Sequence, residues 1–425
     1  MRILFYPRVL HAGDRQRSAV ELAGAMVASG HEVTMIAAPG ILGARVNELG
    51  IELVLMPDRS ADGTLLPVRR LMQAIREQSI DVVHAFGWEA IDEAFLAANL
   101  SRRKVAVTGT IHARGMSPIL PHSVPLLMGS RSAAGEMRTA GFSRVGVLEP
   151  WVETANNGSG NIVAGSEFLQ RWHIDGTGLL VALAIPLDDE PSLVNLVTAI
   201  ESVGEIAAQG TSVQLLVVGD GPLLGIATDC AADFNARSGR EVVVFAGEMI
   251  DRRAAFAAAD VVVASGGSVA QGMALGKPVV VAGERGFFRP VSHATIDEFS
   301  WSGWYGVGSG TRLGKVDLLA ALEPLLESSR LRDYRGAFAR DVVLRFGLDV
   351  AIERQLQEYH DAFNTRVGWL TRLVDMFRVG PALIVRRRPG MRFVTRHASS
   401  AARIPAAQTC DKPADPIRKA RCGHL

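Results

Sequence analysis

The feature that most constrains this chain is an alternation that occurs twice. Short apolar runs of strand length alternate with longer amphipathic patterns. In the first half, the runs are Ile3 to Tyr6, Glu32 to Ala37, Ile51 to Met56, Ile80 to Phe86 and Lys104 to His112. In the second half they are GLLVALAI, VQLLVVG, EVVVFAG, DVVVAS and KPVVVAG. Aliphatic and β-branched runs of this kind suit a sheet covered on both faces. The clearest intervening helix is SAVELAGAMVAS, with Val20, Leu22, Ala23, Met26 and Val27 on one face and Gly30 as its stop. Strands joined through helices require right-handed crossovers and parallel sheets. The expected fold is therefore α/β, with two doubly wound Rossmann-like domains facing each other across a cleft. Ligands in such folds sit at the carboxyl ends of the strands.

The expected boundaries are a first domain over 1–152, a polar glycine-rich linker over 153–177 and a second domain over 178–348. A closing helix over 349–363 and a basic tail over 364–425 follow. A length of 425 residues accommodates this plan. With 48% hydrophobic and 21% charged residues, wholesale disorder and fibrous repeats are excluded. The cysteines, Cys230, Cys410 and Cys422, are odd in number and widely spaced, so they give neither a disulfide framework nor a zinc pattern. Arg8 and Asp14 interrupt the N-terminus too early for a secretory leader. No uncharged apolar run reaches the length of a membrane span. A cytoplasmic location is expected.

The stretch ASGGSVAQGMALGKPVVV, Ala264 to Val281, places a bare Ser-Gly-Gly-Ser turn between a strand and a helix. A helix start presents unpaired N–H groups and a favourable dipole to an anion. It is equally the form of a plain tight turn.

Several stretches, in order, resemble family 4 glycosyltransferases. LHAGDRQRSAVELAGAMVASGHEVTMI resembles the loop, helix and strand that open that family. DVVHAFG, LLVVGDGPLL and the Ala264–Val281 stretch are similar to three of its later motifs, and the likeness spans about residues 1 to 363. It implies the GT-B fold, a nucleotide-sugar donor on the second domain and a hydroxyl acceptor on the first. Ser265, Gly266, Gly267 and Ser268 would then approach a diphosphate with backbone N–H groups and hydroxyls. Gly219 and Gly221 of GDGP and Gln271 would complete the donor side. Gly13 and Arg15 would line the acceptor side, and His112 would face the transferred sugar. No metal and no other cofactor is implied.

Three departures from the family pattern stand out. An Arg and a Lys that hold the donor diphosphate in the family are replaced by Ile185 and Pro191, with Asp188, Asp189 and Glu190 between them. Gln271 stands where a glutamate usually binds the donor ribose, and a second glutamate has no counterpart. The opening loop reads Ala12-Gly13 in place of Gly-Gly. Arg285 and Arg289, in the loop GERGFFRP, are the candidates to replace the lost cations, with a solvated loop as the alternative. Lys277 is expected to point to solvent, His84 to be structural and Asp220 to shape its own turn.

From Asn364 onward, thirteen Lys and Arg stand against three Asp, although the whole chain carries only +1. In VGWLTRLVDMFRV, Trp369, Leu370, Leu373, Val374, Met376 and Phe377 share one helical face, with Arg372, Asp375 and Arg378 opposite. Residues 366–396 read either as an interfacial helix on an anionic membrane's inner face or as a helix packing its apolar face on the first domain. The last thirty residues read as disordered. Nucleic acid is not an expected partner, because aromatic stacking platforms are lacking. Two other functions fit the departures: a catalytically degenerate binding or partner subunit, and an epimerase-like nucleotide-sugar enzyme.

Overall fold

The structure is a computed structural model that describes residues 1–11, 13–57, 65–112, 119–154, 160–174, 176–365 and 368–386. Ala12, the tail beyond Arg386 and its two cysteines lie outside the described residues.

The first domain runs β1 (Arg2–Val9), α1 (Asp14–Ala28), β2 (Glu32–Ala38), α2 (Gly43–Glu48), β3 (Glu52–Leu55) and α3 (Leu66–Glu77). It continues with β4 (Val82–Phe86), α4 (Trp88–Leu100), β5 (Ala106–Ile111), β6 (Leu126–Met128), α5 (Arg131–Thr139) and β7 (Val145–Val147). The second domain runs α6 (Gly160–Arg171), β8 (Leu179–Ala184), α7 (Glu190–Ala208), β9 (Val213–Val218), α8 (Leu224–Ser238), β10 (Val243–Gly247) and α9 (Arg253–Ala258). After these come β11 (Val261–Ala264), α10 (Gly267–Ala274), β12 (Val279–Gly283), β13 (Phe287–Pro290), α11 (Ile296–Ser302), α12 (Thr311–Glu327) and α13 (Ser329–Val343). The helices α14 (Leu348–Asn364) and α15 (Trp369–Arg386) close the described chain.

The sheet orders are β3-β2-β1-β4-β5-β6-β7 and β10-β9-β8-β11-β12-β13. Both are doubly wound, as the alternation requires. Each order reverses once, between β1 and β4 and between β8 and β11, which opens a crevice at the strands' carboxyl ends. Each sheet is covered on both faces. Ile3, Phe5, Met35 and Val82 pack on one side of the first sheet, and Leu4, Tyr6, Val83 and Ala85 on the other. Successive residues of β1 thus serve opposite cores, the strand period of two.

The sequence expectation differs from the structure in several places. The loop holding Arg285 and Arg289 is a hairpin, in which β13 pairs antiparallel with β12. Part of the presumed linker, 160–171, is helix α6, which packs on α9 and buries Phe168 in the second domain's core. Lys277 does not point to solvent. Its Nζ donates to the Ala257 carbonyl at 2.8 Å, and burial lowers its pKa.

After α13 the chain returns to the first domain. There α14 buries Ala351 and Tyr359 in the core beside β1. The two strands of chain that cross between domains touch each other. The Val152 N–H donates to Phe346 O at 3.0 Å, and the Leu348 N–H donates to Val152 O at 3.0 Å.

Candidate functional site

The crevice of the second domain is built around the turn after β11. Gly266, at φ +57° and ψ −133°, starts α10. A side chain there would be strained, and its Cβ would lie 2.4 Å from the Tyr305 hydroxyl. The turn is thus pressed between Tyr305 and the first domain's Asp14, whose Oδ2 would lie 3.6 Å from a Cβ on Gly267. Ser268 is buried, and its hydroxyl accepts a hydrogen bond from Arg252 Nη1 at 2.6 Å. The same nitrogen donates to Asp14 Oδ1 at 3.2 Å. The Arg252 side chain is 12% exposed, and its Nε is buried without a hydrogen-bond partner. A second cation adjoins it. Arg17 is buried and donates through both terminal nitrogens to the carbonyls of Met249 and Ile250, latching α1 to the loop after β10. Burial, and then the charge of Arg252, lowers its pKa to about 10, which leaves it charged at neutral pH.

The facing wall belongs to the first domain. Gly13 precedes α1, so Asp14 and Arg15 stand in its first turn. Arg15 is half-buried beside Gly87 (φ +92°), where a Cβ would lie 2.6 Å from its Nη1. Burial depresses the Arg15 pKa, which Glu89 partly offsets. His112 follows β5. Its ring meets Trp151 edge-on at 5.6 Å, and its Nε2 is buried without a hydrogen-bond partner. Burial pushes its pKa down to about 4, with Asp14 and Arg15 as opposing charged neighbours. Asp14 therefore links three of the expected elements: the α1 start, His112 and the Ser-Gly-Gly-Ser turn.

The remaining expected residues are placed differently. Gly219 and Gly221 let two loops approach closely, since Cβ atoms there would lie 1.8 Å from Ile185 O and 2.4 Å from Leu187 O. Asp220 Oδ1 accepts from the Gly221 N–H at 2.7 Å, shaping its own turn. Asp189 caps α7 by accepting from the Ser192 N–H at 2.9 Å, and Pro191 sits in the helix's first turn. The residues that break the family pattern thus make an ordinary helix start. Asp188 has its pKa raised by burial and then by Asp189, Asp220 and Glu248. Gln271 lies partly exposed on α10. Arg285 is exposed at the β12–β13 turn, and Arg289 pairs with Glu298 at 2.6 Å on the surface.

The sequence reading missed Arg252. It lies in GEMIDRRAAF, and only its position after β10, at the carboxyl end of the sheet, marks it beforehand. His84, by contrast, is satisfied on both ring nitrogens, by Tyr359 Oη at 2.7 Å and Thr110 Oγ1 at 2.8 Å. Among the described residues, no three His, Cys, Asp or Glu side chains cluster so as to hold a metal ion.

Comparison with known proteins agrees with this architecture. Residues 16–178 match the model of Glycosyltransferase Family 4, and residues 191–295 that of Glycosyl transferases group 1. A search of curated proteins gave no significant match. Among solved structures, Anabaena HepE in complex with UDP and glucose superposes with a TM-score of 0.66 at 17% identity, over 85% of this chain and 100% of that one. A glycosyltransferase from Rickettsia africae gives 0.64 at 14% identity, over 86% and 99%. WaaG, a glycosyltransferase involved in lipopolysaccharide biosynthesis, gives 0.55 at 15%, over 86% and 100%. With a family 4 match over residues 16–178, a group 1 match over 191–295 and two doubly wound sheets facing across a cleft, this chain is a divergent family 4-like glycosyltransferase of the GT-B fold.

Proposed function

We propose that the enzyme transfers a sugar from a nucleotide-diphosphate-sugar donor to a hydroxyl acceptor, with retention, in glycan or glycolipid assembly at the cell envelope. The observation that carries the donor assignment is the Arg252 guanidinium on the Ser268 hydroxyl at the start of α10. A fixed cation and a helix N-terminus converge there, and both favour a diphosphate. Arg252 supplies the charge that Ile185 and Pro191 cannot, and Asp14 balances it until the donor arrives. The Anabaena HepE structures with UDP and UDP-glucose support this reading, as WaaG supports the envelope setting.

In the transfer, the bond from the sugar's anomeric carbon to the diphosphate breaks, and its electron pair leaves with the phosphate oxygen. The acceptor oxygen bonds to that carbon from the same face, and its proton passes to the departing phosphate. Arg252, Arg17 and the N–H groups of Gly267 and Ser268 stabilise the charge that develops on the leaving group. His112 is neutral at pH 7, so it serves the sugar's hydroxyls as a hydrogen-bonding group rather than as an acid. Gly219, Gly221 and Gln271 border the donor, and Gly13 and Arg15 the acceptor. The protein works peripherally, on an anionic membrane face.

The test is calorimetric titration of UDP, GDP and ADP into wild type, Arg252→Ala and Arg289→Ala. One nucleotide should bind wild type and Arg289→Ala equally, and Arg252→Ala at least about tenfold more weakly, as expected for losing a charge-assisted contact. Loss in Arg289→Ala alone would move the diphosphate to the hairpin. No binding to a cooperatively folded wild type would favour the partner-subunit reading.

A further inference from the structure

Helix α15 docks on the first domain through Asp375, Met376 and Val379. Asp375 is 1% exposed, and its Oδ2 accepts a hydrogen bond from the Ser123 N–H at 2.8 Å. Val379 is fully buried against the α3–α4 core, and Met376 packs beside it. Of the two readings of its apolar face, packing on the first domain holds only for Met376, and the rest of that face is turned to solvent. Trp369 is 75% exposed, Phe377 73%, Leu370 60%, Val374 52% and Leu373 44%. At 100° per residue, these five span a continuous face opposite Asp375 and Val379. The buried Asp375 carboxylate, which accepts the Ser123 N–H, fixes this orientation.

A cavity of about 400 Å³ adjoins the helix, lined by Arg103, Lys104 and Arg144 of the first domain and by Arg372 of α15. None of these four cations forms an ion pair among the described residues. Arg103 donates to Ser79 Oγ, Lys104 lies over the Phe363 ring at 4.0 Å, and Arg144 donates to Ser123 O. The nearest carboxylates acting on Arg144 are Glu358, itself pushed towards its neutral form by burial, and Asp361. Beyond α15 the sequence adds Arg387, Arg388, Arg392 and Arg396. No described helix is long and apolar enough to cross a membrane.

We propose that α15 and this cavity form a seat for an anionic bilayer, with the apolar face among the acyl chains and lipid phosphates at Arg103, Lys104, Arg144 and Arg372. An apolar stripe flanked by cations fits an interface of acyl chains beneath phosphates, whereas a second protein copy would bring a second set of cations to the same place. The proposal rests on the peripheral placement above and is independent of the sugar chemistry. The cavity lies at the amino ends of β5 and β6, a strand's length from the catalytic crevice.

The test is co-sedimentation of the full chain with vesicles of phosphatidylcholine, alone or with phosphatidylglycerol. Wild type should bind only the anionic vesicles. Leu373→Glu/Phe377→Glu, on exposed positions, should reduce that binding at least about tenfold. Arg103→Glu/Arg372→Glu should remove the preference for anionic lipid, and inorganic phosphate at millimolar concentration should not displace the protein. All variants should retain wild-type nucleotide binding, which separates this result from failure of the glycosyltransferase reading. Equal binding of wild type and Leu373→Glu/Phe377→Glu would overturn the proposal. So would a wild-type dimer in analytical ultracentrifugation that this variant converts to monomer, because a second copy would then be the occupant.

Discussion

His84 and Tyr359 are 275 residues apart in the chain and 2.7 Å apart in space. The histidine comes from a central strand of the first sheet and the tyrosine from the helix that returns after the second domain. Both are fully buried. Burial raises the tyrosine's pKa and lowers the histidine's to about 3, so a neutral imidazole meets a neutral phenol. The first domain is thus completed by α14, which follows the second domain in sequence.

Replacing Tyr359 by Phe keeps the ring and deletes the hydroxyl. His84 Nδ1 then stays buried without its partner. The expected cost is about 1–3 kcal/mol, the penalty for an orphaned buried polar group. Chemical denaturation of Tyr359→Phe against wild type measures it, and an unchanged midpoint would refute the clasp.

Two histidines, the buried His84 and the half-buried His112, make stability depend on pH. Their folded-state pKa values, about 3 for His84 and about 4 for His112, lie below the unfolded value of about 6.5. The unfolded chain therefore binds more protons between these limits, and stability rises with pH there. The contribution is complete above about pH 6.5 and is lost as the pH falls towards 4 for His112 and 3 for His84. The slope approaches about 1.4 kcal/mol per pH unit for each histidine. Urea midpoints measured from pH 7.5 to 5 should fall, and His112→Gln should flatten the decline.

Gly266→Ala tests the turn. Its φ of +57° with ψ of −133° costs any side chain about 1–3 kcal/mol, and the new Cβ meets the Tyr305 hydroxyl. Nucleotide affinity should fall at least about tenfold, since the N–H groups of the α10 start move with the turn. Gly266→Ala/Tyr305→Phe relieves the contact but not the dihedral. It should regain only part of the stability, as read by thermal unfolding.

Long apolar strands were legible in the sequence because burial on both faces makes continuous runs. The three-residue strands β6 and β7 were not, for LLM and VGV are too short to carry a period. FFRP read as loop because Arg289 and Pro290 suit one, and at a sheet edge proline is tolerated. GNIVAGSEFLQR hid α6 behind its glycines. In the candidate site, the bare backbone of Ser265 to Ser268 is legible locally as a strand-to-helix turn. Arg252 did not, because the Asp14 it grips is 238 residues away. Asp375 misled in the other direction, since helical periodicity assigns a carboxylate to water unless its tertiary partner, Ser123, is known.

The two crossings at Val152 and Leu348 give the link between the domains a mechanical character. A single connection would let one domain swivel freely about a bond. Two, hydrogen-bonded side by side, act as a flat leaf that bends about one axis and resists torsion. Any displacement of one domain against the other must therefore bend this paired connection, and twisting it would break the two hydrogen bonds at Val152.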